Sequence, residues 1–396
     1  MGRLRTLVVG AGPAGMSVAV HLALTDPDAV RRDEFAVIDP AGRWLATWDA
    51  QMAAQRIEHL RSPVVHHPHP SPFALVRSVD QDRDLRRSDG LHVPTTTAFA
   101  RFCTDVLEEC RLTNAVIGVR AVGAQLESDA VAVRLANDVT IRAERVVVAT
   151  NPRRQVLPQW LEQVPPEHVH PNGRLGENLS GRRILIVGGG LSAAHLTFGA
   201  AAGGADVALL ARRPFVERRM DVHPTWLGPI RMGAFDAADF ATRHELADEA
   251  RGGGSMPAWA AKQLRVMSRE GAVRLYEDDQ VDMVLDVDGQ TIVRSRAGRA
   301  LPIDEVWPAF GGLSDIRVDG VLGDIADQSP LPLHGGLPAL SADLRWGSVP
   351  VWVAGAVAAL QIGPVAGNLF GHREAGRRIA TALTGRDLPS HIPTLR

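Results

Sequence analysis

The sequence predicts an α/β protein built from two similar units, and two observations carry this prediction. Two glycine-rich segments, LVVGAGPAG around Gly10 and ILIVGGGLSAA around Gly188, each follow a short apolar run and precede an alanine-rich stretch. Such a run is typical of a buried strand, and such a stretch of a helix. Each half of the chain then continues with a strand, an excursion, a meander of short strands and a closing strand. The predicted fold class is therefore α/β with two Rossmann-like dinucleotide-binding domains.

The first glycine-rich segment has the G-x-G-x-x-G pattern at Gly10, Gly12 and Gly15. In this pattern the first glycine allows a tight turn and the second lets the backbone approach a pyrophosphate. The third lets the following helix pack on the strand. The anion is expected on the N–H groups at the helix N-terminus. Two such turns imply two dinucleotides, which suggests that electrons move between them.

The residues that end the second strand of each unit predict which dinucleotide it binds. FAVID (35–39) ends at Asp39, at the spacing where an acid accepts hydrogen bonds from a free ribose diol, although the residue could also cap a turn. DVALLARR (206–213) instead ends in Arg212 and Arg213. Guanidinium groups bind a phosphate bidentately, which favours NADPH over NADH, and the alternative is a solvated arginine pair on a surface turn.

The order of elements also predicts the domain organisation. Residues 42–75 are irregular and rich in Pro and His, which is typical of a functional segment or lid. A helix is expected at 95–110, strands at 113–148, and a helical insertion up to about residue 270. The apolar run 349–356 and the helix opened by Gly363 and Pro364 would complete the first sheet. We therefore expect a discontinuous first domain, 1–170 and 313–396, with the second, 181–312, inserted into it.

Composition and charge exclude several classes of protein. The chain has 43 basic and 45 acidic residues, interspersed, with a net charge of −2, which argues against nucleic acid or an anionic membrane as partner. No apolar run is long enough for a membrane helix, and the first strand starts too early for a signal peptide, so a cytoplasmic location is expected. Cys103 and Cys110 do not form Cys-x-x-Cys and read as half-buried helix residues. Nothing predicts the oligomeric state.

Two further segments leave alternatives open. His66, His67 and His69 are interrupted by prolines and lack an acid partner at ligand spacing, so no metal site is predicted. They could face substrate or cofactor, or lie in an ordinary surface loop. In the helical insertion, Trp226 and Phe235 could line a substrate channel or pack at the domain interface.

The order of motifs resembles the two-dinucleotide-binding-domain flavoproteins. Within them it is most similar to the NADPH-dependent flavin monooxygenases, especially the lysine/ornithine N-hydroxylase branch. The resemblance rests on the first fingerprint, Gly42-Arg43-Trp44, the strand end ATNP (149–152), the second fingerprint, the arginine pair and the C-terminal strand and helix. The chain departs from the family at Gly355-Ala356, where many relatives have Gly-Asp, and lacks the F-x-G-x-x-x-H motif of classical flavin monooxygenases.

The resemblance implies roles for individual residues. Those implied to bind FAD are Gly10, Gly12, Pro13 and Gly15 at the pyrophosphate, Asp39 at the adenosine ribose, Trp44 and Trp48 near the ribityl chain or flavin ring, Thr150 at the strand end under the FAD, and Gly355. Those implied to bind NADPH are Gly188, Gly190 and Ser192, besides Arg212 and Arg213. The turn Gln361-Ile362-Gly363-Pro364 would point a helix N-terminus at the flavin pyrimidine edge, or simply start a helix. Gln55 and His59, on a predicted helix, are the candidate catalytic residues.

The activity implied by the resemblance is oxygenation of a small soft nucleophile such as an amine. NADPH would reduce FAD, O₂ would add at flavin C4a, and the resulting (hydro)peroxide would pass an oxygen to the substrate, giving N-hydroxylation. One alternative is an FAD-dependent NADPH reductase that passes electrons to a ferredoxin-like protein. Another is a non-catalytic nucleotide-binding protein in which Gly355-Ala356 no longer holds flavin tightly.

Overall fold

The computed structural model describes residues 3–31 and 33–389. Met1 and Gly2, on which the expectation about the N-terminus depends, lie outside the described residues. The first part of the chain contains β1 (Leu4–Val9), α1 (Pro13–Thr25), β2 (Phe35–Asp39), α2 (Ala46–Ala54), α3 (Ala74–Ser78), α4 (Gln81–Asp84), β3 (Leu85–Ser88), β4 (Leu91–Pro94), α5 (Thr96–Glu109), β5 (Val116–Gly118), β6 (Ala121–Leu126), β7 (Val131–Leu135), β8 (Thr140–Val148) and β9 (Arg153–Arg154).

The middle part contains β10 (Arg183–Val187), α6 (Leu191–Ala202), β11 (Asp206–Leu210), α7 (Pro229–Ala237), α8 (Phe240–Arg251), α9 (Ala258–Arg269), β12 (Val273–Tyr276), β13 (Val281–Val287), β14 (Gln290–Ser295), β15 (Ala300–Pro302) and β16 (Glu305–Pro308). The last part contains β17 (Leu313–Ser314), α10 (Gly320–Gln328), β18 (Leu333–His334), β19 (Leu337–Pro338), β20 (Val351–Val353), α11 (Ala359–Ile362) and α12 (Leu369–Thr384). Short 3₁₀ helices connect them at Pro27–Val30, Gln159–Gln163, Pro166–His168, Pro224–Leu227, Ile316–Val318 and Ala356–Ala358.

The first unit is a mostly parallel sheet in the order β5-β2-β1-β8-β7-β6. Its central strands are apolar and buried because helices cover both faces, as parallel sheets require. The strand β8 is long enough to form a hairpin with β7 at one end and to pair with β20 at the other, where Val351 lies beside Val146. The C-terminal strand thus joins the sheet begun by the N-terminus, although the domain boundaries at 170 and 313 stay a prediction.

The second unit is a parallel sheet, β12-β11-β10-β16, next to a small antiparallel sheet, β13-β14-β15. One face of the parallel sheet packs on α6 and α9, with Val207 and Leu209 facing that core. The other face packs on the small sheet through Ala208 and Leu210. Alternate residues of β11 therefore bury against different layers, which is the period of a strand.

The structure corrects three predictions about local conformation. The final helix does not open at Gly363-Pro364: Gly363 has φ +82° and ends α11, and α12 begins at Leu369. The second helix ends at Ala54, so Gln55 is its C-cap and His59 lies beyond it. Cys103 and Cys110 are fully buried rather than half-buried, because α5 turns its apolar face toward the core of the first unit.

Two further features concern membrane and metal. No helix in the described ranges is both long and apolar enough to cross a membrane. Within the same residues, no group of three or more His, Cys, Asp or Glu side chains is arranged to hold a metal ion. His66, His67 and His69 lie in the protein interior, which excludes the surface-loop interpretation of this segment.

Candidate functional site

The three glycines of the first fingerprint are required for different reasons. A Cβ on Gly10 would lie 2.8 Å from the Ala149 carbonyl oxygen, and one on Gly15 would overlap the Gly10 carbonyl oxygen. A Cβ on Gly12, by contrast, would meet nothing within 4 Å. Pro13 follows at the first position of α1, where it needs no N–H partner. Packing therefore explains two of the glycines, and open space at a helix N-terminus surrounds the third.

Asp39 binds the fingerprint turn with one carboxylate oxygen and the turn after β2 with the other. Its Oδ2 accepts from the Ala11 N–H at 3.0 Å, and its Oδ1 accepts from the Ala41 N–H at 2.9 Å. The turn-capping alternative is therefore realised. Each carboxylate oxygen has a further lone pair, so a ribose hydroxyl can still donate to Asp39, which stays a prediction.

The ends of β8 and β20 meet beside the first fingerprint. Gly355 has φ +88°, and a Cβ there would lie 3.5 Å from the Thr150 carbonyl oxygen and 3.6 Å from Ala14 Cβ. The Thr150 hydroxyl donates to Asp319 Oδ2 at 2.7 Å. The structure thus brings Thr150 and Gly355 to the fingerprint, but the Thr150 side chain points to the start of α10.

The turn Gln361-Ile362-Gly363-Pro364 is buried beneath the helical insertion. A Cβ on Gly363 would lie 3.0 Å from the Met232 sulfur and 4.0 Å from Phe235, both on α7. The Arg243 guanidinium of α8 donates to the Leu360 carbonyl at 3.0 Å and to Gln361 Oε1 at 3.2 Å. The Gln361 amide group in turn donates to the Leu340 carbonyl at 2.6 Å.

A second arginine of α8, Arg251, donates to the Pro364 carbonyl at 3.0 Å. Two guanidinium groups therefore fix the insertion to this turn, and residues 355–366 are buried throughout.

The two tryptophans after Gly42 occupy different environments. Trp44 is 7% exposed, and its indole N–H donates to the Leu112 carbonyl at 2.9 Å, so it belongs to the core. A flavin contact for Trp44 stays a prediction. Trp48 is half-buried, with its ring 5.9 Å from that of Phe99. Trp48 remains the candidate on the cofactor side.

The structure does not place Gln55 and His59 together on one helix face. Arg56 has φ +50°, which ends the helical path, and His59 forms a β-bridge with Thr95. The His59 ring packs on Trp259 of α9 at 5.3 Å, and burial lowers its pKa. Gln55 is half-buried at the end of α2. No catalytic pair follows from this geometry, and the prediction that both lie on one helix is wrong.

The second fingerprint is more enclosed than the first. A Cβ on Gly188 would lie 2.6 Å from the Ala309 carbonyl oxygen, as at Gly10. At Gly190, however, a Cβ would lie 3.1 Å from the Cα of Gly254. The Leu191 N–H, at the first position of α6, donates to the Ser255 carbonyl at 3.1 Å. Ser192 follows and is exposed.

The two arginines that follow β11 are not equivalent. Arg212 is exposed. Arg213 turns inward and donates to the carbonyls of Gly252 at 2.7 Å and Gly254 at 3.3 Å. Its partners are main-chain atoms of the loop that covers Gly190.

Arg61 connects its own segment to residues 218–220 and to Ser255, a structural role that the sequence did not indicate. Its Nη2 donates to the carbonyls of Arg218 at 2.8 Å and Met220 at 2.9 Å, and to Ser255 Oγ at 3.0 Å. Burial lowers the pKa of Arg61. No sequence motif could indicate this role, because most of the acceptors are carbonyl groups, which every residue carries.

The helical insertion also contains a cavity of about 540 Å³. The residues that give it its chemical character are Glu217, Arg218, Arg219, Trp226, Arg231 and Glu249. Trp226 lies 6.0 Å, ring centroid to ring centroid, from Phe235. Since Phe235 faces Gly363, a single aromatic layer separates the cavity from the buried turn.

Residues 4–225 match the family described as pyridine nucleotide-disulphide oxidoreductase, which is more than half of the 396-residue chain. The chain belongs to this family. Its membership confirms the predicted oxidoreductase class. Comparison with curated proteins finds no significant match.

Solved structures share the fold over the whole chain. The FAD-bound cadaverine monooxygenase DfoA of Erwinia amylovora has a TM-score of 0.74 and 15% identity, covering 100% of this chain and 99% of its own. The ornithine N-hydroxylase KtzI of Kutzneria sp. 744, with reduced FAD, NADP⁺ and L-ornithine, has a TM-score of 0.72 and 14% identity, covering 96% and 99%. The bacillithiol disulfide reductase Bdr of Bacillus cereus has a TM-score of 0.61 and 16% identity, covering 97% and 99%.

These likenesses confirm the predicted α/β fold with Rossmann-like sheets and the resemblance to N-hydroxylating flavoproteins at the level of fold. The first two structures also carry cofactors of the kinds predicted here.

Proposed function

We propose that the chain is an FAD- and NADPH-dependent monooxygenase that uses O₂ to oxygenate a small amine. The observation that carries this proposal is the burial of the turn at 360–364 beneath α7 and α8. Oxygen transfer requires a flavin sheltered from water, because water promotes side reactions of reactive intermediates. A reductase that serves a protein acceptor needs an exposed flavin edge instead.

The first unit fits FAD. The space at Gly12 lies at the N-terminus of α1, where N–H groups and the helix dipole favour a pyrophosphate. We assign Gly10, Gly12, Pro13 and Gly15 to this group and Asp39 to the ribose. Residues 1–170 and 313–396 would form the FAD domain, and 181–312 the NADPH domain.

When bound, FAD accepts hydride from NADPH and activates O₂ for transfer to a soft nucleophile. The protein would position the reactants and exclude water from the flavin site. Arg243 and Arg251 hold the insertion on the turn, and Met232 and Phe235 exclude water from Gly363. The Gln361 amide is held from both ends, by Arg243 and by the Leu340 carbonyl, so its orientation is fixed.

Disulfide reduction through a protein dithiol does not fit this chain. Its two cysteines, Cys103 and Cys110, are both buried. Burial raises the pKa of both thiols, that of Cys110 to about 12. The reactive thiolate is therefore scarce at neutral pH.

We infer that the cavity in the insertion admits the amine. This assignment is supported by the closeness of the cavity to the buried turn.

The test measures oxygen incorporation. FAD-loaded protein is incubated with NADPH, ¹⁸O₂ and either diamines or basic amino acids. The masses of the products are then measured by mass spectrometry. We expect amine-dependent NADPH oxidation and one ¹⁸O atom in the product. Oxidation of NADPH that only an iron–sulfur protein accelerates would support the reductase instead. Absence of flavin absorbance after FAD addition and gel filtration would overturn both enzymes.

A variant of the insertion tests the observation itself. Arg243→Ala removes the contacts to Leu360 and Gln361, so we expect a several-fold larger share of NADPH oxidation to end as H₂O₂. Glu245→Ala, exposed on the same helix, is the control. Equal peroxide yields from the two variants would argue that the insertion does not shelter the reaction.

A further inference from the structure

Residues 250–255, called here the clamped segment, are held almost entirely through their carbonyl groups. Arg218 Nη1 donates to the carbonyls of Ala250 at 3.1 Å and Arg251 at 3.3 Å. Arg213 Nη2 donates to those of Gly252 and Gly254.

The Ser255 carbonyl accepts from Arg61 Nη1 at 3.3 Å. Three guanidinium groups thus hold five of six consecutive carbonyls, and hydrogen bonds from ionised donors are the strong ones.

The clamped segment touches both predicted nucleotide seats. A Cβ on Gly254 would lie 3.0 Å from the Gly190 Cα and 3.0 Å from the Gly190 N atom, so only glycine permits this approach. Gly252 and Gly253 have φ +57° and +81°, the left-handed region that glycine adopts without cost. At the other end, the Arg251 side chain reaches the Pro364 carbonyl of the buried turn.

The contrast with the first unit shows what the segment does. Gly12 faces open space, whereas Gly190 faces the backbone of Gly254. The Leu191 N–H, which a helix N-terminus would otherwise offer to an anion, is bound by the Ser255 carbonyl. A dinucleotide at α6 must therefore pass beside the clamped segment, which forms one wall of its seat.

We propose that Arg213 is a positioning residue that sets this wall, and that Arg212 alone is left to meet the 2′-phosphate. The inference rests on the proposed use of NADPH. Arg213 binds two carbonyl groups in a run of three glycines. Glycine has the most flexible backbone, so loss of the Arg213 side chain would let the clamped segment move. A displaced wall weakens every dinucleotide equally, whether or not it carries a 2′-phosphate.

The experiment compares neighbouring substitutions in FAD-loaded protein. Kd values for NADP⁺ and NAD⁺ are measured by calorimetry, and hydrogen–deuterium exchange of peptides across 250–255 is measured without any dinucleotide. Arg212→Ala should weaken NADP⁺ by roughly tenfold or more, leave NAD⁺ nearly unchanged, and leave exchange unchanged. Arg213→Ala should weaken both dinucleotides by the same factor and speed exchange of the segment. Gly254→Ala, whose Cβ would meet Gly190, should reproduce the Arg213→Ala pattern.

Selective loss of NADP⁺ in Arg213→Ala, with exchange unchanged, would overturn the inference and restore a direct phosphate contact. Failure of the proposed use of NADPH looks different, because the unsubstituted protein would then show no preference for NADP⁺ over NAD⁺. Arg213→Lys serves as the conservative variant and should recover part of the protection from exchange, since its ammonium can still reach a carbonyl.

Discussion

At the scale of single residues, Gly12 is informative because nothing in the protein requires it to be glycine. Its φ of −77° suits any residue, and its Cβ position is empty. Gly10 and Gly15 are instead fixed by contacts with Ala149, which follows β8, and with each other. The predicted pyrophosphate would account for a glycine here, because it would occupy this space.

We predict that Gly12→Val leaves the protein folded and abolishes FAD binding. The folded state loses no contact, and valine in place of glycine at the N-cap of α1 should cost only about 1 kcal/mol, while the side chain fills the space for the pyrophosphate. Thermal unfolding and flavin absorbance after gel filtration measure the two effects. Gly15→Val is the control, and it should fail to fold because its Cβ overlaps the Gly10 carbonyl. Retention of flavin by Gly12→Val would show that the pyrophosphate lies elsewhere.

Residues of this kind also show how far sequence reasoning reaches. The fingerprint glycines were predictable, because a turn this tight excludes larger residues and the sequence shows directly where glycine occurs. The burial of Trp44 was not: nothing in its position after Gly42 indicates that its N–H binds the Leu112 carbonyl. The roles of Arg61 and Arg213 were equally hidden, since both bind main-chain atoms. The residue type shows which hydrogen bonds a side chain can donate, and only the fold shows which acceptors it meets.

At the scale of elements, the segment with His66, His67 and His69 departs furthest from expectation. Its polarity and prolines suggested an exposed loop, yet it is packed between α5 and α12. The His67 ring lies 4.9 Å from Phe102, and the His66 ring 5.4 Å from Phe370. A neutral imidazole carries no charge, so it can be buried at far lower cost than an imidazolium, and a sequence does not show which protonation state will be present.

The burial of these three histidines predicts that the folded protein loses stability in acid. Burial, with Arg373 adding to it, lowers the pKa of His66 to about 4, of His67 to about 3 and of His69 to about 4, from an ordinary value of 6.5. The unfolded chain therefore binds protons first as the pH falls below 6.5, so stability is complete above 6.5 and declines toward pH 4. The melting temperature should be level from pH 8 to 7 and fall steadily below 6.5.

A matched pair of variants assigns the effect. His66→Leu keeps an apolar contact with Phe370 but removes one titrating group, so its melting temperature should fall less steeply with pH. His92→Gln, at an exposed histidine, should follow the unsubstituted protein. If the melting temperatures of all three proteins fell equally steeply below pH 6.5, groups other than His66 would cause the loss of stability.

At the scale of the whole molecule, the chain returns to its start. The strand β20 pairs with β8, and α12 packs along α1, the helix that begins at the first fingerprint. The sequence indicated this return, because a strand and a helix without a fingerprint were left over at the C-terminus. It could not indicate how closely the two helices approach, since that depends on one small residue, Gly376.

We predict that Gly376→Val separates these helices and weakens FAD binding from a distance. A Cβ on Gly376 would lie 2.7 Å from the Ser17 carbonyl oxygen and 2.7 Å from His21 Nδ1, so α12 must move away from α1. Overpacking of this kind costs about 1–3 kcal/mol, and the fingerprint at the start of α1 moves with its helix. The melting temperature should fall by several degrees, and the Kd for FAD should rise.

The control for this substitution is Gly323→Ala on α10. A Cβ there meets nothing within 4 Å, and alanine in a helix interior should stabilise the protein by roughly 0.5–1 kcal/mol. An unchanged melting temperature for Gly376→Val would mean that α1 and α12 can separate without consequence. In that case the C-terminal segment would only cover the first unit. A loss of both stability and FAD affinity would instead show that it is part of the FAD-binding site, held there by a helix contact that a side chain at position 376 disrupts.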